Sequence, residues 1–236
     1  MPVPLLDMEM YPPFDGFPKA GLDFFKKLKR NNNRPWFEKH KGEYETQVKL
    51  PMQSLIAALQ PNFSQFAAEY EVNPKRSIFR IYRDIRFSKD KTPYKTHTAA
   101  HFVLRGKPKG FLGSGYYMHI EPGETFAGAG LYMPDSGQLK SIRAAIDERA
   151  KEFLTIVQHK TFKKIFGELK GEKLQRSPLG FSPDHPMAEW LKLKQFFAHV
   201  SWKERECYFP GFVSNVIGVY KGLLPLVRFL NSALHK

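Results

Sequence analysis

From Ser77 to His97 the chain reads SIFRIYRDIRFSKDKTPYKTH, and apolar and polar positions alternate through its first half. Successive side chains of a strand point to opposite faces. Phe79, Ile81, Ile85 and Phe87 are therefore expected on a core face, and Arg80, Tyr82, Asp84 and Arg86 on the other. Arg83 breaks the alternation by falling on the apolar side. Either a bulge re-aims it or it reaches through the core to a buried carboxylate, because an unpaired buried charge is too costly to keep. Ser88 to Pro93 reads as a turn, and Tyr94 to Leu104 as a returning strand with His97, Ala99, His101 and Val103 on one face. A second hairpin follows. Gly115 to Glu121 alternates, Pro122-Gly123 signals a turn, and Thr125 to Met133 returns with Phe126, Gly128, Gly130 and Tyr132 together. Two glycines at that spacing strip a patch of side chains, either for the close approach of another backbone, ring or ligand, or for tight curvature.

The flanks carry a different period. Leu22, Phe25 and Leu28 recur at helical spacing after Pro18, and Asn31 to Asn33 end that helix and offer a cap for the next. Trp36, His40, Tyr44 and Val48 form a stripe on a long helix, which Pro51 is expected to kink or restart. His40 on this stripe reads as a packed histidine. Asp135 or Ser136 caps a helix running to about Gln158, and further helices are expected over Thr161 to Leu169, Ala188 to Phe197 and Ser214 to Leu234, the last interrupted by Pro225. His199 to Trp202 reads as a short strand. The order predicts an α+β fold: a twisted antiparallel sheet of at least four strands over 78–133, packed by helices over 18–70 and 135–236, in one domain spanning 1–236.

The long pattern Arg80-x-x-Arg83-Asp84-x-Arg86-Phe87-Ser88-x-Asp90-Lys91-x-Pro93-Tyr94-Lys95-x-His97 resembles the signature of a bacterial and fungal family catalogued as domain of unknown function 2461. The stretches GYYMHIEPGE, GAGLYMP and LQRSPLGFSPDHP are similar to that family too, so the resemblance covers nearly the whole chain. It implies no known activity and supplies no catalytic residues to carry over.

Charge and composition narrow the chemistry. The formal charge of +14 favours polyanionic partners, although the basic residues are spread, with one cluster at Lys26, Lys27, Lys29 and Arg30 and others in the hairpin and over Lys160 to Lys173. One cysteine, Cys207, excludes an internal disulfide framework and any multi-cysteine zinc site. No unbroken apolar run approaches the ~20 residues of a membrane span, and MPVPLLDMEMYPP lacks the layout of a signal peptide. A soluble cytoplasmic protein with no membrane partner is expected. GxSxG, P-loop and GxGxxG patterns are all missing from the sequence.

The leading reading is an anion site in the hairpin. Arg80, Arg83, Arg86, Lys91 and Lys95 would hold a phosphate-like or carboxylate group, with His97, Tyr94 or Asp84 as catalytic candidates. A phosphorylated small molecule is the partner that follows. The alternative is a basic nucleic-acid or protein-binding module without catalysis. Whether the chain is an enzyme, which cofactor it takes and its oligomeric state are not assigned. No metal site is assigned either. His97 and His101, four residues apart on a strand, stand ~13 Å apart and cannot share an ion. Only if neighbouring strands align could His97, His119 and Glu121 converge as ligands.

Overall fold

The computed structural model describes residues 11–106 and 113–234. The stretch weighed as a signal peptide lies almost wholly outside them. Five strands form one antiparallel sheet in the order β1-β2-β3-β4-β5: β1 Tyr70–Glu71, β2 Thr98–Leu104, β3 Gly115–Glu121, β4 Glu124–Leu131 and β5 Phe196–Trp202. Helices precede and follow the sheet strands, so the α+β expectation holds.

The chain's contacts divide it into two units. One comprises the described residues up to Phe102, Tyr117–Ala127 and Ser201–Gly218; the other comprises Val103–Tyr116, Gly128–Val200 and the described residues from Val219 onward. In the first unit, α1 (Lys19–Arg30) buries Leu22, Phe24, Phe25 and Leu28. Asn33 accepts a hydrogen bond from the Trp36 N–H to cap α2 (Arg34–Lys39), with Pro35 inside its first turn. The chain continues through α3 (Lys41–Tyr44), a π-helical turn Glu45–Lys49 and α4 (Leu50–Phe66). The expected kink at Pro51 takes the form of that π turn. A proline has no N–H to give and its ring crowds the carbonyl four residues back, here Gln47. Widening the preceding turn lets the chain stay helical. Gly21 of α1 packs directly on the Gln47 carbonyl, where a Cβ would collide. His40 stacks on Trp36 with centroids 4.0 Å apart, a packed histidine.

The first hairpin is less regular than its alternation predicts. Ile78 bridges Ala100 and Tyr82 bridges Tyr94, both antiparallel, but 79–93 form no continuous strand. Of the four residues expected on a core face, Ile81 is buried and Ile85 half-buried, whereas Phe79 is exposed and Phe87 is 96% exposed. Alternation requires a layer to alternate against, and the tip of this hairpin has none. Phe79 lies instead with the Lys95 ammonium 5.1 Å from its ring centroid.

The second unit contains α5 (Ser136–Glu148), capped reciprocally by Asp135 and Gln138. The helix expected to reach Gln158 breaks at Arg149 and resumes as α6 (Ala150–Val157). The Arg149 guanidinium sits over the Phe229 ring and donates to Ser232 Oγ, fixing the turn. Next come α7 (Lys160–Phe166) and α8 (Ala188–Leu191). The helix expected through Phe197 stops at Leu191, because Phe196 and Ala198 are taken into β5 as buried, alternating residues. The glycine patch has its cause here: a Cβ at Gly128 or Gly130 would collide with the backbone of β5 at Ala198 or Phe196, and Gly130 has φ +140°. The Ser201–Gly218 segment of the first unit holds a short 3-10 turn, Glu204–Tyr208, and the start of α9 (Phe212–Ala233), a helix that runs unbroken through Pro225. Leu223, Leu226, Val227 and Leu230 are fully buried around it, which offsets the hydrogen bond Pro225 cannot make. By length and composition α9 is apolar enough to cross a membrane; its buried and exposed residues alternate with helical period, as on an amphipathic core helix.

Candidate metal centre

Antiparallel pairing sets the start of β2 beside the end of β3. His97 immediately precedes β2, and His119 and Glu121 lie two apart near the end of β3, hence on one face. The three come together. Glu121 Oε2 stands 3.8 Å from His97 Nδ1 and 3.7 Å from His119 Nε2. One ligand atom from each residue falls within 4.8 Å of the others. Two ligands bound ~2.1 Å from one tetrahedral ion stand ~3.4 Å apart, so a small contraction would close the set. His101, four residues along β2, lies instead beside Phe79.

The electrostatics decide what these contacts are. Burial, then the neighbouring His97, lowers the His119 pKa to about 4. Burial, then Lys95, lowers that of His97 as well. Burial and Glu124 raise the Glu121 carboxyl against the opposing pull of Lys29. Both imidazoles are therefore neutral at neutral pH, and the short distances to Glu121 are not ion pairs. They are also too long to be hydrogen bonds. His119 Nε2 is fully buried with no hydrogen-bond partner. An unsatisfied buried polar atom costs ~1–3 kcal/mol, and a cation between the three would satisfy it. The other ring nitrogen is held: Tyr117 Oη lies 3.2 Å from His119 Nδ1. With Nδ1 donating to the phenol oxygen, Nε2 presents its lone pair to the cluster. Phe126 stacks on the His119 ring at 5.0 Å and 12°.

Several of the hairpin's charged residues are paired within the hairpin, whereas Arg80 is exposed. Arg83 is more buried than Arg80 or Arg86, and it pairs with a carboxylate, Asp90, while also donating to Thr92. Asp90 belongs to the hairpin itself and is exposed, not a carboxylate buried in the core. Arg86 forks onto Asp84, holding that carboxyl down to about 2. Lys91 Nζ donates to the Ile85 carbonyl and Lys95 Nζ to the Arg80 carbonyl. Tyr94 stacks on Phe37 at 4.1 Å, and its backbone is clasped by the Asn32 side chain from both sides. Tyr94 and Arg83 border a cavity of about 390 Å³ with Arg34, Glu38 and Tyr82. The metal trio draws only His97 from the hairpin.

A family model described as "conserved hypothetical protein (DUF2461)" matches residues 20–229. The chain belongs to the DUF2461 family. Nothing among curated proteins or solved structures matches it. In this DUF2461 member the candidate ligand cluster is His97, His119 and Glu121. Tyr117 is the site residue the sequence reading passes over, although Tyr117-x-His119-x-Glu121 on one strand puts all three on one face. The Lys26, Lys29 and Arg30 cluster was visible, but nothing local in sequence placed it beside Glu121.

Proposed function

We propose that this protein binds one divalent first-row transition-metal ion through His97, His119 and Glu121, and acts as a metal-dependent enzyme. The observation that carries the reading is the buried, unpartnered His119 Nε2, 3.7 Å from the Glu121 carboxylate. Two neutral imidazoles and one carboxylate suit zinc or ferrous iron, and three protein ligands leave coordination positions open for water or substrate. Bound there, such an ion would polarise an oxygen of the substrate or generate hydroxide from water at neutral pH. The chain's own share is to keep both imidazoles neutral by burial, to hold the His119 tautomer through Tyr117, and to keep Glu121 facing both rings. Metal uptake after chelator treatment, measured by elemental analysis and calorimetry, tests this. One zinc or ferrous ion per chain is expected, with affinity falling at least about 100-fold in His119→Ala and Glu121→Gln and unchanged in His101→Gln. Uptake that ignores these substitutions would sink the reading.

One observation favours a second reading, a basic surface for nucleic acid. Phe87, 96% exposed, stands between Arg86 and Lys89 at the hairpin tip, as a stacking residue among phosphate-binding cations would. Salt-dependent binding of a labelled single-stranded oligonucleotide that weakens in Phe87→Ala would support it.

A further inference from the structure

We infer that the ligand of this centre is a small oxyanion, a phosphate or carboxylate head group, seated in the cavity that α1 and Glu121 border. The inference rests on the metal reading above and names its substrate class. The cavity, of about 220 Å³, is lined by Phe25, Lys26, Lys29, Arg30, Thr96, Glu121 and Pro122. Three of these residues are cationic and only one, the ligand carboxylate Glu121, is acidic. Lys26, Lys29 and Arg30 sit at i, i+3 and i+4 of α1 and so project from one helix face. Basic residues in a last helical turn are explained in part by the helix dipole, but that account does not require them to border a cavity that Glu121 of the His97–His119–Glu121 trio also lines.

Their partners separate them. Lys26 is already committed, 3.1 Å from Asp23 and 3.5 Å from Glu204. Among the described residues neither Lys29 nor Arg30 has an ion pair. Lys29 acts electrostatically on Glu121. A metal bound by Glu121 would spend that carboxylate's charge on itself and leave Lys29 and Arg30 facing the cavity without a counter-charge. An oxyanion satisfies both ends at once: one oxygen completes the coordination shell, and the others accept from the ammonium and the guanidinium fork. Size narrows the class. The cavity is smaller than the ~300–1,000 Å³ of pockets for drug-sized ligands, so it suits a head group or small acid, and Phe25 and Pro122 offer apolar contact for a short carbon stem.

The experiment uses the full chain loaded with Co²⁺, whose visible absorption reports its coordination. Inorganic phosphate and succinate are titrated separately at fixed ionic strength, with chloride as the control. Saturable spectral change with either anion is expected, phosphate marking a phosphorylated substrate and succinate a carboxylic acid. In Lys29→Gln/Arg30→Gln, both substitutions on exposed side chains, apparent anion affinity should fall at least about tenfold, with Co²⁺ affinity within about twofold of the parent. Co²⁺ uptake without an anion response beyond chloride, or an equal response in the double variant, overturns this inference and leaves the metal reading standing. Failure of the parent protein to take up Co²⁺ or Zn²⁺ overturns the metal reading and this inference together.

Discussion

At the scale of single residues, what a group lacks is as informative as what it touches. His119 Nδ1 is hydrogen-bonded to Tyr117 Oη, and Nε2 on the far side of the ring has no partner. If the phenol fixes the tautomer, Tyr117→Phe should weaken metal binding about tenfold without changing the fold, as read by competition with a chelating dye. Equal affinity in the two proteins would reduce Tyr117 to a packing residue. Cys207 gives the opposite case. Burial pushes its thiol up to about 12, and Sγ donates to the Glu204 carbonyl at 3.0 Å. A buried, protonated thiol is a poor nucleophile, so a disulfide reagent should label Cys207 only after denaturant is added. Rapid labelling of the native protein would contradict that. Arg83 shows how exposure sets the worth of an ion pair. Its carboxylate partner exists, but Asp90 is exposed, so Arg83→Ala should cost far less than breaking a buried pair.

Elements show where local rules suffice and where packing overrides them. The Asp135 cap is local, and its geometry with Gln138 follows the reciprocal pattern its sequence suggests. Asp135→Ala should cost about 1 kcal/mol in denaturant unfolding, with no effect on metal affinity. Gly130 is held by tertiary packing. Its φ of +140° and the β5 backbone against it leave no room for a methyl group, so Gly130→Ala should cost about 2 kcal/mol or more. A loss within a few tenths would show that β4 and β5 can move apart. Pro51 and Pro225 make the same point. Both lie inside helical runs, one accommodated by a π turn and the other by burial of the residues around it.

For the molecule as a whole, the testable quantity is stability against pH. His101 is half-buried on β2, and burial lowers its pKa from the ordinary imidazole value of 6.5. The unfolded chain therefore takes up this proton at a higher pH than the folded one does. The contribution to stability is complete above about pH 6.5 and declines as pH falls from there toward the lowered folded value. His101→Phe should flatten this part of the curve, measured as melting temperature across pH 7 to 5. An unchanged slope would show that His101 is solvated. The charge of +14 adds a background that grows on acidification, so the comparison must be made at fixed ionic strength.

How much was legible depended on the range of the interaction. The hydrophobic period, the asparagine and aspartate caps and the Pro122-Gly123 turn act over a few residues, and they determined the class of fold and the hairpin β3–β4. Alternation failed between Phe79 and Phe87, because a strand pattern states which residues share a face but not whether a layer covers it. Residue types alone made His97, His119 and Glu121 conditional ligands, since the condition was the register between two strands. That register comes from backbone pairing and side-chain packing distributed along both strands, with no local sequence mark. The hairpin's dense charge stands out in the sequence, but neighbours in sequence are free to neutralise one another, as Arg86 does with Asp84 and Arg83 with Asp90. Only tertiary structure set Lys29 and Arg30, some ninety residues earlier in the chain, at the edge of the cavity that Glu121 closes.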